Sequence, residues 1–329
     1  MIKLRRGTSI CWQPRLRKDR LITFCALTTL FLLLTFLSGW RYSPDLAELL
    51  SVAKIYPYTN APIKALADNS FIVWVVLSVG GLEHARTFFI ATYLIAFLFK
   101  TSTILRVYGN TPAIIFTLLF FFSVDLNQSR LSLALTFSLL AWLNIRQRKF
   151  ISGTIYAICS ILFHYPVAAF FLFFYHADRL KAKYVISGAA SLLFIYFLIT
   201  NTGLPADRYI AYIRSPHAGG YSHFVLISSA ILILCWARIT TQQKLISVST
   251  LLICFSTLHL ANLSGRLSEL LAMGILLASF KHQSSARKNN SFENRGISRY
   301  VIIIATLFFF YRATEWILLG NVPGLIIKG

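Results

Sequence analysis

The chain alternates apolar stretches with short polar connections along almost its whole length. Eleven of these stretches predict helices that cross a membrane. They cover residues 21–39, 84–99, 112–124, 130–145, 150–164, 166–178, 183–200, 221–238, 245–262, 266–280 and 300–318. Several are shorter than the ~20 residues that an isolated span needs, so we expect neighbouring helices to bury their ends. The pattern predicts an all-α polytopic integral membrane protein with about 11 transmembrane helices.

The Lys and Arg residues between these stretches predict how the chain is oriented. If the N-terminus is cytoplasmic, the inner segments hold 22 Lys and Arg residues and the outer segments hold 8. Short cytoplasmic loops of membrane proteins are enriched in these residues. We therefore predict a basic cytoplasmic tail at 1–20 and a single transmembrane domain over 21–329. Its main outer segments are 40–83 and 201–220, and its C-terminus is also on the outer side.

Two outer regions contain segments that we do not count as spans. Segment 71–82, read as a full span, would place the basic run 146–149 outside, against the charge bias. We therefore predict that it is a re-entrant or interfacial helix. Segment 43–68 begins with helical periodicity and continues with tyrosines and prolines, which is typical of an amphipathic helix and a loop on the bilayer surface. Gly and Pro break the outer loop 201–220 at both ends.

The composition supports the membrane class and excludes others. The 329 residues are 57% hydrophobic and 13% charged, whereas soluble domains are about 25% charged. The net charge of +21 does not indicate a nucleic-acid partner, because the basic residues are spread over short loops. The five cysteines lack metal-binding or disulfide spacing, and no NTPase, Rossmann, GxSxG or HExxH motif is present. We therefore predict no metal and no cofactor.

A few arginines break the charge bias because they fall on the outer side, at or near predicted helix ends. They are Arg41, Arg130, Arg208, Arg214 and Arg266. Cations are costly near hydrocarbon, and these lie beside a histidine and a few carboxylates. Their position indicates a site for an anionic substrate at the outer face of the membrane.

Arg130 and Arg266 are each predicted to open the outer end of a helix. A helix N-terminus is partly positive and presents free N–H groups, so a guanidinium beside it forms a cradle for an anion. Gln128 precedes Arg130, and Glu269 follows Arg266 by one turn on the same side of its helix. The structural alternatives are that Arg130 snorkels to headgroups or pairs with Asp125, and that Arg266 and Glu269 form an ion pair.

Further candidates are predicted on the same side. His164 ends a predicted span just before Tyr165 and Pro166, and Asp45 follows the first span; either can act as a general base. The alternatives are a histidine bonded to a carbonyl and an aspartate in a helix N-cap region. Tyr165 is also a candidate for binding the substrate. The others are Arg41, Tyr42, Arg208, Tyr209, Tyr212 and Arg214, of which Tyr209 and Tyr212 either stack on sugars or form an interfacial belt.

The segment from Phe120 to Phe174 resembles the core of Wzy-type O-antigen polymerases and the related EpsG-like exopolysaccharide proteins. An arginine opens an Ala/Leu helix, a basic inner turn follows, and the next helix ends in Phe-His. The family often has Arg-Gln at the first motif, whereas here Gln128 precedes the arginine. The sequence GRLSELL at 265–271 resembles the second arginine helix, and Asp45 matches the acidic position after the first helix.

The resemblance implies a GT-C-like membrane glycosyltransferase in the bacterial inner membrane, with a periplasmic active site. Its reaction would join undecaprenyl-pyrophosphate-linked oligosaccharide repeats, with the pyrophosphate lipid as leaving group. Arg130 and Arg266 would stabilise the developing charge without a metal, and His164 or Asp45 would deprotonate the acceptor hydroxyl. The partners implied are the lipid-linked oligosaccharide, membrane lipid and, as a candidate, a chain-length regulator protein.

Two other functions stay open. An O-antigen ligase uses the same donor with a different acceptor, and a large outer loop between late spans would favour it. A non-enzymatic transporter or flippase for the same lipid predicts inverted repeats and charges near the bilayer midplane. The charges that the sequence singles out lie at the outer rim instead, which favours the polymerase.

Overall fold

The computed structural model describes residues 17–38, 44–55, 71–126, 128–177, 221–280 and 292–317. Within these ranges the regular structure is helical and no β-strand is present, which confirms the all-α prediction. The helices are α1 (Lys18–Ser38), α2 (Pro44–Ile55), α3 (Phe71–Gly80), α4 (Ala85–Val107), α5 (Asn110–Phe120), α6 (Ser129–Arg146), α7 (Phe150–His176), α8 (Tyr221–Cys235), α9 (Thr241–Ser256), α10 (Ala261–Ser279) and α11 (Phe292–Ile317). A π-helical turn, Phe121–Asp125, directly follows α5.

Backbone contacts divide the chain into two compact units. The first comprises residues 1–172 and 281–320, and the second comprises residues 173–280 and 321–329. Within the first unit α4 packs along α6, and α5 packs against α1 and α11. Within the second unit α10 packs against both α8 and α9. The single transmembrane domain over 21–329 stays a prediction.

The apolar helices support membrane association. Among the described helices, α4 and α7 are long and apolar enough to cross a membrane, and α3, α5 with its π-helical turn, and residues 223–235 form shorter apolar helices. The exposed side of α7 carries isoleucines at positions 151, 155, 158 and 161, which lie on one face at helical spacing. A continuous apolar surface of this kind is uncommon where a protein faces water. The count of about 11 spans stays a prediction.

The segment predicted as the first outer region contains the two short helices α2 and α3. With 10 residues, α3 is about 15 Å long, half the ~30 Å thickness of a hydrocarbon core. This described helix is too short to cross a bilayer alone; the re-entrant or interfacial position of segment 71–82 stays a prediction. The chain then turns through Gly81, whose φ of 63° suits glycine. Only the first part of segment 43–68 is described, as α2; residues 56–70 lie outside the described residues.

Several helix bounds correct the predicted spans. Helix α4 continues to Val107 instead of ending near residue 99, so Lys100 and Arg106 belong to the helix and not to an inner loop. Helix α9 begins at Thr241, ahead of the predicted 245, because Thr240 and Gln243 form a capping box. The predicted spans 150–164 and 166–178 correspond to the two helical parts of α7, which meet at non-helical backbone at His164. The predicted span 183–200 lies outside the described residues.

Helices α6 and α7 form a closely packed antiparallel hairpin. The hydroxyl of Ser160 lies 2.6 Å from the carbonyl oxygen of Ala134, to which it donates, and 2.7 Å from the hydroxyl of Ser138. At Gly153, a Cβ atom would lie 2.5 Å from Cγ1 of Ile145, so only glycine allows this approach. Small residues at helix contacts allow backbones to come close together in membrane proteins. The hairpin therefore has a fixed register between its two helices.

Candidate functional site

The register of the α6–α7 hairpin brings Arg130 and His164 to the same end of the first unit. Ser160 contacts the backbone of Ala134, and Gly153 lies against the backbone of Ala141; both pairs belong to one antiparallel register. Arg130 lies about one turn before Ala134, and His164 lies about one turn after Ser160. The two predicted site residues are therefore nearly level with each other across the hairpin.

The backbone that leads to Arg130 is unusual. After α5, the π-helical turn Phe121–Asp125 widens the helix, and the N–H of Leu126 donates to the carbonyl oxygen of Phe121 at 3.0 Å. The N–H of Gln128 then donates to the carbonyl oxygen of Val124 at 2.8 Å. Single π-helical turns are rare and occur often at functional sites. The turn ends just before the motif that the sequence singles out.

Arg130 is the second residue of α6, which begins at Ser129. The prediction that this arginine lies at a helix start is confirmed. Its side chain is partly exposed, and the backbone N–H groups of a first helical turn have no partner within the helix. A guanidinium beside such a turn can bind an oxyanion, so the anion-binding role of Arg130 stays a prediction with suitable local geometry.

Gln128 is the N-cap residue of α6, but its side chain does not cap the helix. Its side-chain amide donates instead to the carbonyl oxygen of Ser123 at 2.9 Å. Gln128 therefore ties the start of α6 back to the π-helical turn with both its backbone and its side chain. This contact gives the glutamine a structural part in the motif, and its predicted role in binding substrate is untested.

Asp125 does not pair with Arg130. The carboxylate of Asp125, the last residue of the π-helical turn, forms an ion pair with the ammonium group of Lys100 on α4, and both side chains are fully buried. The expectation of an arginine partner for Asp125 was wrong. Lys100 was not among the predicted site residues because the predicted span ended at residue 99; Ile104 and Leu105, which follow within the same helix, were the available signal.

His164 interrupts α7. Its φ of −164° and ψ of 89° are extended, whereas the residues on both sides are helical. Pro166 follows and lacks the N–H that would continue the hydrogen bonding of the preceding turn. His164 is partly exposed and Tyr165 is 42% exposed. The predicted break is confirmed at this histidine, and the exposure leaves both side chains accessible to a ligand.

Arg266 and Glu269, in the second unit, form the ion pair that was the structural alternative to an anion site. The Nη1 atom of Arg266 lies 3.6 Å from Oε2 of Glu269, one turn further along α10. The helix itself begins at Ala261, so the expectation that Arg266 opens it was wrong. Asn262 and Ser264 are polar but buried in the helix, which is why the apolar pattern placed the start too late. Arg266 thus lies in the second turn of α10.

The other predicted site residues fall largely outside the described residues. Asp45 is the second residue of α2, and its side chain lies outside the described part of the structure. Those entirely outside the described ranges are Arg41, Tyr42, Arg208, Tyr209, Tyr212 and Arg214. Within the described ranges, no group of three or more His, Cys, Asp and Glu side chains is placed to hold a metal ion. The metal-free mechanism stays a prediction.

The helical architecture and the apolar surface fit a membrane-associated protein. A comparison with protein families identifies the class more closely. The chain belongs to the EpsG family, whose family model matches residues 24–318. This match confirms the EpsG-like resemblance drawn from Phe120–Phe174 and from GRLSELL; the likeness to Wzy-type O-antigen polymerases stays a prediction. The family is associated with membranes and with polysaccharide biosynthesis, and its members are generally glycosyltransferase-like polymerases. No curated protein and no solved structure matches the chain.

Proposed function

We propose that the chain is a polysaccharide polymerase that joins undecaprenyl-pyrophosphate-linked oligosaccharide repeats at the periplasmic face of the bacterial inner membrane. One observation carries the proposal: the α6–α7 register brings a helix-start arginine and an accessible histidine level with each other. Family membership supplies the reaction class. A cation for a leaving phosphate beside a base for a hydroxyl is what glycosyl transfer from a pyrophosphate lipid requires.

In the proposed reaction, a hydroxyl of the acceptor sugar attacks the anomeric carbon of the growing chain. A new glycosidic C–O bond forms, and the bond between the anomeric carbon and the pyrophosphate oxygen breaks. The pyrophosphate lipid leaves with the bonding electron pair. Arg130, the N–H groups at the start of α6, and Arg266 stabilise the charge that develops on it. No metal takes part.

The hydroxyl proton passes to a general base on the protein. His164 is our first candidate because it is accessible and level with Arg130, and an imidazole is suited to proton transfer near neutral pH. Asp45 is the second candidate, from its match to the acidic position of the family. The outer loop 201–220 lines the sugar groove in this proposal, with its tyrosines stacking on the sugars. A GT-C-like fold and a chain-length regulator partner belong to the same proposal.

The transporter alternative has one observation in its favour. Lys100 and Asp125 are charged residues within apolar helices, and a transporter or flippase is expected to have charges near the bilayer midplane. However, transporter charges line a cavity that water or substrate can enter, whereas these two side chains are 1% and 0% exposed and paired with each other. The pair therefore does not favour transport over polymerisation.

Deletion of the gene followed by a lipopolysaccharide gel tests the proposed function. A cell without a polymerase still exports and ligates one repeat, so we expect core plus one unit and no ladder. Bare core with polymer left on the lipid carrier would identify a ligase. Bare core with single lipid-linked repeats on the cytoplasmic side would identify a flippase. Either form of bare core would overturn the polymerase.

The same gel tests the part that we assign to His164. We expect His164→Ala, at normal membrane level, to reproduce the core-plus-one-unit pattern of the deletion. A matched control is Tyr156→Phe, which changes a partly buried ring on the same helix away from the proposed site. A full ladder from His164→Ala would remove this residue from the mechanism and leave Asp45 as the candidate base.

A further inference from the structure

The first unit contains a fully buried ion pair that the proposed reaction does not use. The ammonium group of Lys100 on α4 contacts Oδ1 of Asp125, and the two side chains are 1% and 0% exposed. The rings of Phe97 and Phe116 lie 5.6 and 5.1 Å from the ammonium nitrogen. The second carboxylate oxygen of Asp125 is buried and has no hydrogen-bond partner within the described part of the chain. The pair is thus enclosed by apolar groups.

Stability alone does not account for such a pair. Desolvating two charges costs free energy that their attraction often fails to offset, and apolar residues of similar volume are frequently at least as stable. Ionisable residues in apolar helices are therefore rare and usually have a function. Polar pairs in other proteins fix register or specificity at the expense of stability. The pair between Lys100 and Asp125 fits this description.

The location of Asp125 indicates which register the pair fixes. Asp125 ends the π-helical turn, and Gln128 binds that turn through its backbone N–H to Val124 and its side chain to Ser123. Arg130 lies in the first turn of α6, two residues after Gln128 at its N-cap position. The ion pair therefore holds one end of a short hydrogen-bonded segment whose other end carries Arg130.

Helix α4 supplies a rigid base for this segment. It packs along α6, and its Lys100 pairs with Asp125, so α6 and the π-helical turn both contact the same helix. Without the ion pair, the turn would be held to α4 by apolar contacts, which are non-directional. A directional contact at Asp125 restricts how the turn can slide or rotate along α4.

We propose that the Lys100–Asp125 pair is a positioning pair that fixes the π-helical turn and thereby places Arg130 against the leaving pyrophosphate. This inference rests on the proposed function and deepens it. Lys100 and Asp125 touch no substrate and act only through the backbone from Asp125 to Arg130. A small displacement of a catalytic group by a remote change can cost about 100-fold in rate, so the pair is expected to affect turnover.

The decisive variant removes both charges together. In Lys100→Met/Asp125→Leu, no uncompensated charge stays buried, and we expect a normal level in the membrane. With lipid-linked repeats extracted from the deletion strain as substrate, we expect kcat to fall by about 10- to 100-fold with little change in KM. Thr103→Val, which changes another buried side chain of α4, is the matched control and should retain wild-type values. Wild-type kcat in the double variant would overturn the proposal.

A conservative variant covers the case in which the double variant does not accumulate. Asp125→Glu keeps the charge and lengthens the side chain by one methylene, so the pair can persist while the turn is displaced. The positioning role predicts a lower kcat at normal protein level. Full kcat in Asp125→Glu would overturn the proposal. Failure of both variants to accumulate would also overturn it, because the pair would then serve folding.

A chemical readout separates this inference from the proposed function. In a background whose native cysteines are replaced by alanine, Arg130→Cys is labelled with a charged, membrane-impermeant thiol reagent in intact cells. If the pair positions this residue, adding Lys100→Met/Asp125→Leu should change the labelling rate several-fold. An unchanged rate would overturn the positioning role whether or not the protein polymerises sugars. A changed rate with no polymerase activity in the wild type would overturn only the proposed function.

Discussion

The guanidinium of Arg266 and the carboxylate of Glu269 form a pair whose two members are unequally buried. Their closest atoms are 3.6 Å apart, and the side chains are 33% and 4% exposed. A carboxylate that loses its cation in such a place stays in an apolar environment. A partly exposed guanidinium that loses its anion can turn toward water or headgroups. Loss of the arginine is therefore expected to destabilise the protein more than loss of the glutamate.

This inequality predicts different losses of stability. We expect Arg266→Gln to lower the free energy of unfolding by about 2–3 kcal/mol, because Glu269 then remains buried without its cation. We expect Glu269→Gln to cost no more than about 1 kcal/mol. The measurement is the midpoint of heat-induced aggregation in detergent. The control is Leu267→Met, which conserves side-chain volume at a partly exposed position of the same helix. Equal losses, or a larger loss from Glu269→Gln, would contradict the prediction.

Helix ends were predicted most accurately where they coincide with charged or helix-breaking residues. Helix α6 runs from Ser129 to Arg146 against a predicted 130–145, because an arginine lies near each end of an apolar run. The break at His164 was predictable from Pro166, since proline removes a backbone donor. These local rules suffice where the sequence itself interrupts the apolar pattern.

Tertiary contacts explain the errors. Lys100 ended a predicted span because a lysine is normally excluded from hydrocarbon, but Asp125 compensates its charge from another helix. The start of α10 was placed too late because Asn262 and Ser264 are polar; the hydroxyl of Ser264 donates to the carbonyl oxygen of Cys254 at 2.9 Å. Lys100 and Ser264 have polar partners on neighbouring helical elements, and hydrophobic periodicity alone does not report such partners.

The contact at Gly153 predicts a steric defect that a second substitution relieves. A Cβ atom there would lie 2.5 Å from Cγ1 of Ile145 and 3.2 Å from its backbone nitrogen. We expect Gly153→Ala to cost about 1–3 kcal/mol through overpacking and to weaken the hairpin that holds Arg130 level with His164. Ile145→Ala removes the closest atom, so the double variant should recover most of the activity lost by Gly153→Ala. A matched control is Ser152→Ala on the exposed side of α7.

This prediction is checked by the membrane level and the polymer ladder of the three variants. An unaffected Gly153→Ala protein would mean that the hairpin tolerates a wider spacing. A double variant worse than either single variant would show that Ile145 contributes packing that outweighs the relief. Either result would contradict the expected order.

The charge bias predicts the topology. With Lys100 and Arg106 both placed in α4, the predicted inner segments still hold 20 Lys and Arg residues and the predicted outer segments hold 8. We expect an alkaline phosphatase fusion after Thr202 to be active and one after Ser285 to be inactive, since short basic loops stay in the cytoplasm. Green fluorescent protein at the same two positions is the reciprocal control, because it fluoresces only on the cytoplasmic side. Periplasmic activity after Ser285 would reject the orientation.

The arginine side chains themselves are tested by substitutions that keep the charge. A guanidinium presents a planar fork that binds two phosphate oxygens together, whereas the ammonium of lysine is a point charge. If Arg130 and Arg266 bind the leaving pyrophosphate, we expect Arg130→Lys and Arg266→Lys each to lower polymerisation at least about tenfold at normal protein level. Arg86→Lys, at the start of α4, preserves charge in the same way and should leave polymerisation unchanged. A normal ladder from either site variant would remove that arginine from the proposed site. If Arg86→Lys also lowered polymerisation, the assay would be reporting a general need for arginine at the membrane surface rather than pyrophosphate binding.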